Sequence, residues 1–183
     1  MPMSADRTYG VWTMRVLAWT ICMVISLTAG VDVASAQQST KGCSSEQPGA
    51  VQTLRCRDGL IIVAEDGAKF TLQSKGGNID GVDLQSKAVL VDAPKQKGNS
   101  RFQVITPQAI AAVRGTKWAV DAQGSRTSVL VLDGQVAVRR PSGGAEVMLS
   151  PGEGVDVEPG TEPLVVKRWA QPRVDALLAR LRQ

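Results

Sequence analysis

The sequence contains no histidine. That absence removes the commonest general base, the commonest metal ligand and the side chain that titrates near neutrality. Aromatic residues make up only 4% of the 183 residues, which argues against the stacked platforms that hold sugars or single-stranded nucleic acid. Neither sign of charge dominates. The formal net charge is +4, too small and too scattered to define a nucleic-acid surface. No pair of acids is placed for catalysis: Glu65 and Asp66 are neighbours, and on a strand they would face opposite ways. Pro151-Gly152-Glu153-Gly154 is rich in glycine, but neither Lys-Ser/Thr nor a helix follows it, so it is no phosphate loop. The composition therefore points away from an enzyme and calls for no cofactor.

What is present is aliphatic. Hydrophobic residues make up 43%, mostly Val, Leu, Ile and Ala, enough for the core of one domain with appendages. The N-terminus reads as an address. Arg15 precedes an apolar run from Val16 to Leu27, and Ala34-Ser35-Ala36 matches a signal-peptidase site. Cleavage after Ala36 would expose Gln37 and leave the net charge at +4, since Asp6, Arg7, Arg15 and Asp32 leave together. Translation from Met1, Met3 or Met14 would serve equally. The expected location is the periplasm, with no stable membrane insertion after cleavage. The alternative is an uncleaved anchor in the inner membrane, for which the apolar run is short against a span of about 20 residues. Cys22 lies in that run without a lipoprotein box.

Cys43 and Cys56 survive cleavage. An even count in an exported chain favours a disulfide between them over a metal site. Such a bridge is worth roughly 3 kcal/mol by loop entropy. A reactive thiol would need a base and the closer spacing of a redox motif.

Downstream, Leu60 to Ala64 and Lys69 to Leu72 flank Asp66-Gly67, which predicts a hairpin. Ala88 to Val91 is a further strand ended by Pro94. Asn78, Asp80 and Gly81 have the spacing of part of a calcium loop, but Gly76 stands where the first carboxylate belongs; a polar Asx turn is the simpler expectation. Lys95 to Ser100 is a polar boundary loop.

From Arg101 to Val157 short apolar runs alternate with turn signals at Thr106-Pro107, Gly124-Ser125, Asp133-Gly134, Gly143-Gly144 and Pro151-Gly152. Val136/Val138 and Val155/Val157 alternate with polar or small neighbours, placing one set inward. Val129 to Leu132 is apolar throughout, which predicts a strand covered on both faces. Gly115 supplies a bend conformation or a close approach that a Cβ would block. Arg114 either caps carbonyls at that bend or contacts a partner. Trp118 shares a face with Val120 and reads as a core anchor, with an interface role as the alternative. At the C-terminus Pro163 to Val166 predicts a strand. Pro172 suits the start of a helix whose Val174, Leu177, Leu178 and Leu181 form one apolar stripe. That helix is expected to cover an open edge or end of the β body, with Arg173, Arg180 and Arg182 outside the stripe and basic residues near its end complementing its dipole.

The strings TPQAIAAVRGTKWAV (106–120), VLDGQVAV (131–138) and LSPGEGV (149–155) in that order resemble the FecR-type domain. The resemblance implies a periplasmic all-β module that contacts receptors in iron-uptake signalling. Family members that signal across a membrane carry a cytoplasmic segment before their span, and the short stretch before Val16 leaves little room for one. The expected architecture is all-β: short antiparallel or solenoid-like turns with a C-terminal amphipathic helix, or else a β-sandwich or jelly roll. Its segments are a leader (1–36), an N-terminal β segment with the Cys43–Cys56 loop (37–100), a FecR-like core (101–160) and a C-terminal strand and helix (161–183). The expected function is non-enzymatic protein–protein contact with a periplasmic or envelope partner through an open strand edge, with Arg114, Thr116 and Trp118 shaping the site. A structural envelope role without signalling is the alternative.

Overall fold

A computed structural model describes residues 42–47, 49–95 and 101–182. The chain divides into two units, 1–36 and 37–183; the leader, Cys22 and the boundary loop beyond Lys95 lie outside the described residues. The second unit is all-β with one C-terminal helix. Its strands are β1 (Cys43–Glu46), β2 (Val51–Cys56), β3 (Ile61–Glu65), β4 (Lys69–Lys75), β5 (Asn78–Ala93), β6 (Phe102–Ile105), β7 (Ile110–Val113), β8 (Thr116–Gln123), β9 (Arg126–Asp133), β10 (Val136–Arg139), β11 (Val147–Leu149), β12 (Glu153–Val157) and β13 (Lys167–Arg168), followed by α1 (Gln171–Ala179).

One sheet curls over into two layers, and β5 is where it turns. The first half of β5 pairs with β4 and β6 in the back layer, which continues through β7, β10 and β11. Its second half pairs with β3 and β8 in the front layer, which runs from β1 and β2 through β9, β12 and β13. At the turn Lys87 takes φ 66, and the register slips where Lys69 pairs with Ser86 and Phe70 with Leu84. The slip changes the phase of the alternation. Val82 and Leu84 face the core before it, Val89 and Val91 after it, and all four are fully buried. Without the extra residue one half of β5 would turn its apolar side to water.

From β6 onward hairpins alternate between layers: β6–β7 back, β8–β9 front, β10–β11 back, with β12 returning to the front. Their inward side chains form one core, in which Phe102 of the back layer meets Trp118 of the front edge-on, ring centroids 5.9 Å apart at 71°. As the sequence predicts, β9 is covered on both faces. Val129 and Val131 join the main core, while Leu130 joins Ala88 and Ala119 beneath Leu177 of α1 and Leu181 just past its end. The disulfide between Cys43 and Cys56 forms across the first rungs of β1 and β2, Cα atoms 4.0 Å apart.

Four expectations change. Asp66-Gly67 does turn, with the Ala68 N–H donating to the Glu65 carbonyl at 2.9 Å, but its arms do not pair with each other. β3 and β4 follow one another along β5, Ala64 opposite Val89 and Lys69 opposite Ser86. The hairpin's tip is Gly76-Gly77, since Lys75 pairs with Asn78. This long pairing buries Ile62 and Ala64 in one layer and packs Phe70 and Leu72 against the core from the other, which a tight hairpin within one layer would not do. Asn78, Asp80 and Gly81 accordingly lie on a strand, in neither a calcium loop nor an Asx turn. Near the C-terminus the ladder forms at Lys167–Arg168 against Glu153 and Gly154, not at 163–166, where Leu164 and Val166 pack on the core instead. Finally, α1 covers the outer face of the front layer rather than an edge, because Ala88 and Ala119 leave space for it there.

Candidate functional site

The three signature strings meet at one end of the molecule, where the chain repeatedly changes layer. It crosses at Arg114-Gly115 between β7 and β8, at Gly134-Gln135 between β9 and β10, and at Ser150 to Gly152 between β11 and β12. Gly115 has φ +69, and a Cβ there would stand 2.3 Å from Lys95 Cγ and 2.7 Å from Lys95 Cα. Gly134 has φ +82, and its Cβ would stand 2.9 Å from both the Gly115 carbonyl and Thr116 Oγ1. Left-handed backbone and close approach together demand glycine at both positions. Thr116 Oγ1 donates to the Gln135 carbonyl at 3.0 Å, and the Gly152 N–H to the Val131 carbonyl at 2.9 Å. The crossings are thus stacked and bonded to one another. At the opposite end Thr106 and Thr127, both buried, share a hydroxyl–hydroxyl bond of 2.8 Å between the layers.

This geometry separates the predicted site residues. Thr116 is 2% exposed and Trp118 fully buried; both build the interior. Only Arg114 stands at the surface. Its neighbours β7 and β8 are interior strands, paired on both sides. The open edges lie elsewhere. Among the described residues β1, β4, β11 and β13 each have one neighbour. β1 is fastened by the disulfide, and β11 and β13 span only three and two residues. β4, KFTLQSK, is the longest open edge at seven residues, with Lys69 and Lys75 at its ends.

Sequence reasoning missed two arginine clamps that fix α1. Arg180 binds Glu65 of β3 at 2.6 Å and Asp121 of β8 at 2.7 Å, and Glu65 also accepts the Ala88 N–H at 3.0 Å. Burial alone would push the Glu65 carboxyl up, but the Arg180 and Ala88 hydrogen bonds and the Arg180 and Lys87 charges outweigh it and hold it below its ordinary value of 4.5. Hydrogen bonds to Asp121 first and Glu65 second, with the charges of both, raise the Arg180 pKa against the opposing effect of burial. Arg173 stacks over Trp169, 3.5 Å from the ring centroid, and donates to Asp156 at 3.0 Å. Burial raises the Asp156 carboxyl less than the Arg173 and Ser128 hydrogen bonds and the Arg173 and Arg126 charges lower it. Trp169 fits because residue 154 is glycine: a Cβ there would meet its indole nitrogen at 2.4 Å. The helix arginines therefore reach across to the sheet rather than serving the helix dipole. No sequence signal joins residues as distant as Glu65 and Arg180.

The groove beside Arg180, about 490 Å³ and lined by Glu65, Lys87 and Gln123 among others, is open and its acids are committed to the clamp. Among the described residues no group of His, Cys, Asp or Glu could hold a metal ion, and no helix is long and apolar enough to cross a membrane.

The fold and the stacked crossings define a curled, two-layer β module. The family described as FecR protein matches residues 45–137, which is half the chain, and the chain belongs to that family. No curated protein matches it. Two crystal structures of a provisionally assigned anti-sigma factor from Parabacteroides distasonis share the fold. Each has TM-score 0.58 and 22% identity over 74% of this chain, covering 63% of the other chain in one structure and 64% in the second. This chain thus spans a little under two thirds of the length of that protein.

Proposed function

We propose that this protein is a non-enzymatic regulatory module of the cell envelope that works by protein–protein contact. It is exported by its N-terminal segment, cleaved after Ala36 and retained in the periplasm, where its partner is an envelope protein, with iron-uptake signalling as the candidate context. The observation that carries the reading is the FecR match over 45–137 on a body in which, among the described residues, the seven-residue strand β4 has one edge open. Unpaired N–H and C=O groups on such an edge accept an extended partner segment as one more strand. The solved relatives of the same fold are described as anti-sigma factors, which agrees with regulation. This mode needs neither histidine nor aromatic platforms.

The test is affinity capture from envelope extracts with the tagged mature protein, followed by hydrogen exchange with the captured partner. Slowed exchange at 69–75 is expected. An unchanged β4 in the complex would overturn the edge mode; absence of any envelope partner would overturn the contact reading itself. Arg114→Ala should weaken capture. Thr116→Ala cannot serve that purpose, since Thr116 is buried and bonded to Gln135.

A further inference from the structure

The first strand of the ladder buries almost nothing of its own. Among the described residues β1 has one neighbour, β2. Its Ser44, Ser45 and Glu46 are exposed, and Cys43 alone is half-buried and packs against the core. Besides the ladder and the bridge, β1 is tied to β2 at the surface. Ser44 Oγ donates to the Arg55 carbonyl at 3.3 Å, Gln52 Nε2 donates to Ser45 Oγ at 3.0 Å, and Glu46 lies 3.7 Å from Arg55. Just before the strand, the Gly42 carbonyl accepts from the Arg57 N–H at 3.1 Å. Exposed pairs of this kind contribute little. A four-residue arm makes too few ladder bonds to offset the freedom lost in ordering it. The bridge between residues 43 and 56 restricts the undocked arm and so favours the docked one.

Cys56 is held from its other side. β2 pairs with β3 from Val51↔Glu65 to Arg55↔Ile61, and Leu54 is buried. The Cys56 N–H donates to the Leu60 carbonyl at 2.9 Å, and its carbonyl accepts from the Gly59 N–H at 3.1 Å. Breaking the sulfur–sulfur bond therefore frees Cys43 with β1 and leaves Cys56 in place on β2. Cys43 also precedes the FecR match, which begins at residue 45. Both cysteines are half-buried rather than enclosed.

We infer that the Cys43–Cys56 disulfide is a redox latch, opened by a dithiol protein of the Cys-x-x-Cys class, whose reduction releases β1 and bares the edge of β2 over 53–56. A donor thiolate attacks Cys43 Sγ, the Cys43–Cys56 bond breaks, and Cys56 leaves as a thiolate that takes up a proton. The donor's second thiolate attacks the mixed disulfide and frees Cys43, which is protonated in turn, while the donor closes its own disulfide. Two electrons and two protons pass from the dithiol to the two cysteines, and no further reactant is needed. The bared backbone N–H and C=O groups form an edge of the kind on which the proposed contact depends. The latch itself does not depend on that contact, and β4 carries no cysteine.

Reduced thioredoxin, a dithiol protein of this class, provides the test on the protein purified from the cells that make it. One portion of the mixture is alkylated and its Cys43 and Cys56 peptides counted by mass spectrometry; an unblocked portion is taken through hydrogen exchange. Both thiols should appear under native conditions. Exchange at 44–46 and 53–56 should quicken at least about tenfold, with β3 to β13 unchanged. Cys43→Ser should show the same local opening without any reductant. Failure of thioredoxin to reduce the native bridge, at concentrations that reduce it in urea, overturns the inference. So does unchanged protection of 44–46 in the reduced protein or in Cys43→Ser. Loss of protection across β3 to β13 overturns it as well, since the bridge would then support the whole body rather than one strand.

Discussion

Gly134 carries more of this fold than its size suggests. A methyl group there would meet backbone and a buried hydroxyl at 2.9 Å, in a left-handed conformation, and neither neighbour can withdraw because each belongs to the adjacent crossing. Gly143 offers the contrast: its φ is +98, but nothing lies within 4 Å of its Cβ position. Gly143→Ala should therefore show the backbone cost alone, about 1–2 kcal/mol, and Gly134→Ala that cost plus overpacking, roughly 2–4 kcal/mol together. Urea denaturation of the two variants measures the difference; equal losses would show that the crossings do not press on one another. Arg180 gives the second residue-scale prediction. Its carboxylate partners are 17% and 12% exposed, so Arg180→Ala leaves them poorly solvated and should cost about 1–3 kcal/mol. The pH dependence has a definite sign. Because the folded Glu65 carboxyl lies below its ordinary value of 4.5, its contribution is full above that value and is lost as pH falls through the lowered one. Thermal melts should show wild type losing stability more steeply than Arg180→Ala below about pH 4.5.

At the scale of elements, β5 and α1 divide the work. β5 belongs to both layers, and the slip between Leu84 and Ser86 lets one strand supply inward side chains to each. α1 is only nine residues long, too short to hold itself in water; it exists because Leu177 and Leu181 are buried on the front layer and two arginines pin it. Leu177→Ala should cost about 2–4 kcal/mol, and the loss should appear in hydrogen exchange first at Ala88, Ala119 and Leu130, the strand positions beneath the helix. Uniform exposure across both layers would mean that α1 and the sheet unfold as one unit. Among the described residues α1 closes the outer face of the front layer, whereas the β4 edge proposed for partner contact belongs to the back layer.

For the whole molecule, the proposed export sets what reaches its partners. Mass spectrometry of periplasmic material should find Gln37 at the mature N-terminus; a retained segment from Met14 in an inner-membrane fraction would instead show an anchor and would hold the β body at the membrane surface. Much of the body was legible in the sequence, because alternation and turn residues are local. The burial of Val136, Val138, Val155 and Val157, the two-sided cover of β9, the Cys43–Cys56 bridge and the apolar stripe of α1 all follow from spacing and composition. So did the need for glycine at 115, whose occupied surroundings the three-dimensional structure supplies. What the tertiary structure alone decided was which turn closed the long hairpin, which layer each strand joined, and which face the helix covered. Asp66-Gly67 and Gly76-Gly77 are equivalent turn signals locally, and only the pairing of the whole 61–75 arm with β5 distinguishes them. The clamp of Glu65 and Asp121 on Arg180 joins residues 115 and 59 positions apart. Such a meeting is set by the curl of the sheet, and no local pattern encodes it. Trp118 reads as a core anchor from its alternation with Val120 and is one, but only the stacking of the layers turned Thr116 inward and left Arg114 at the surface.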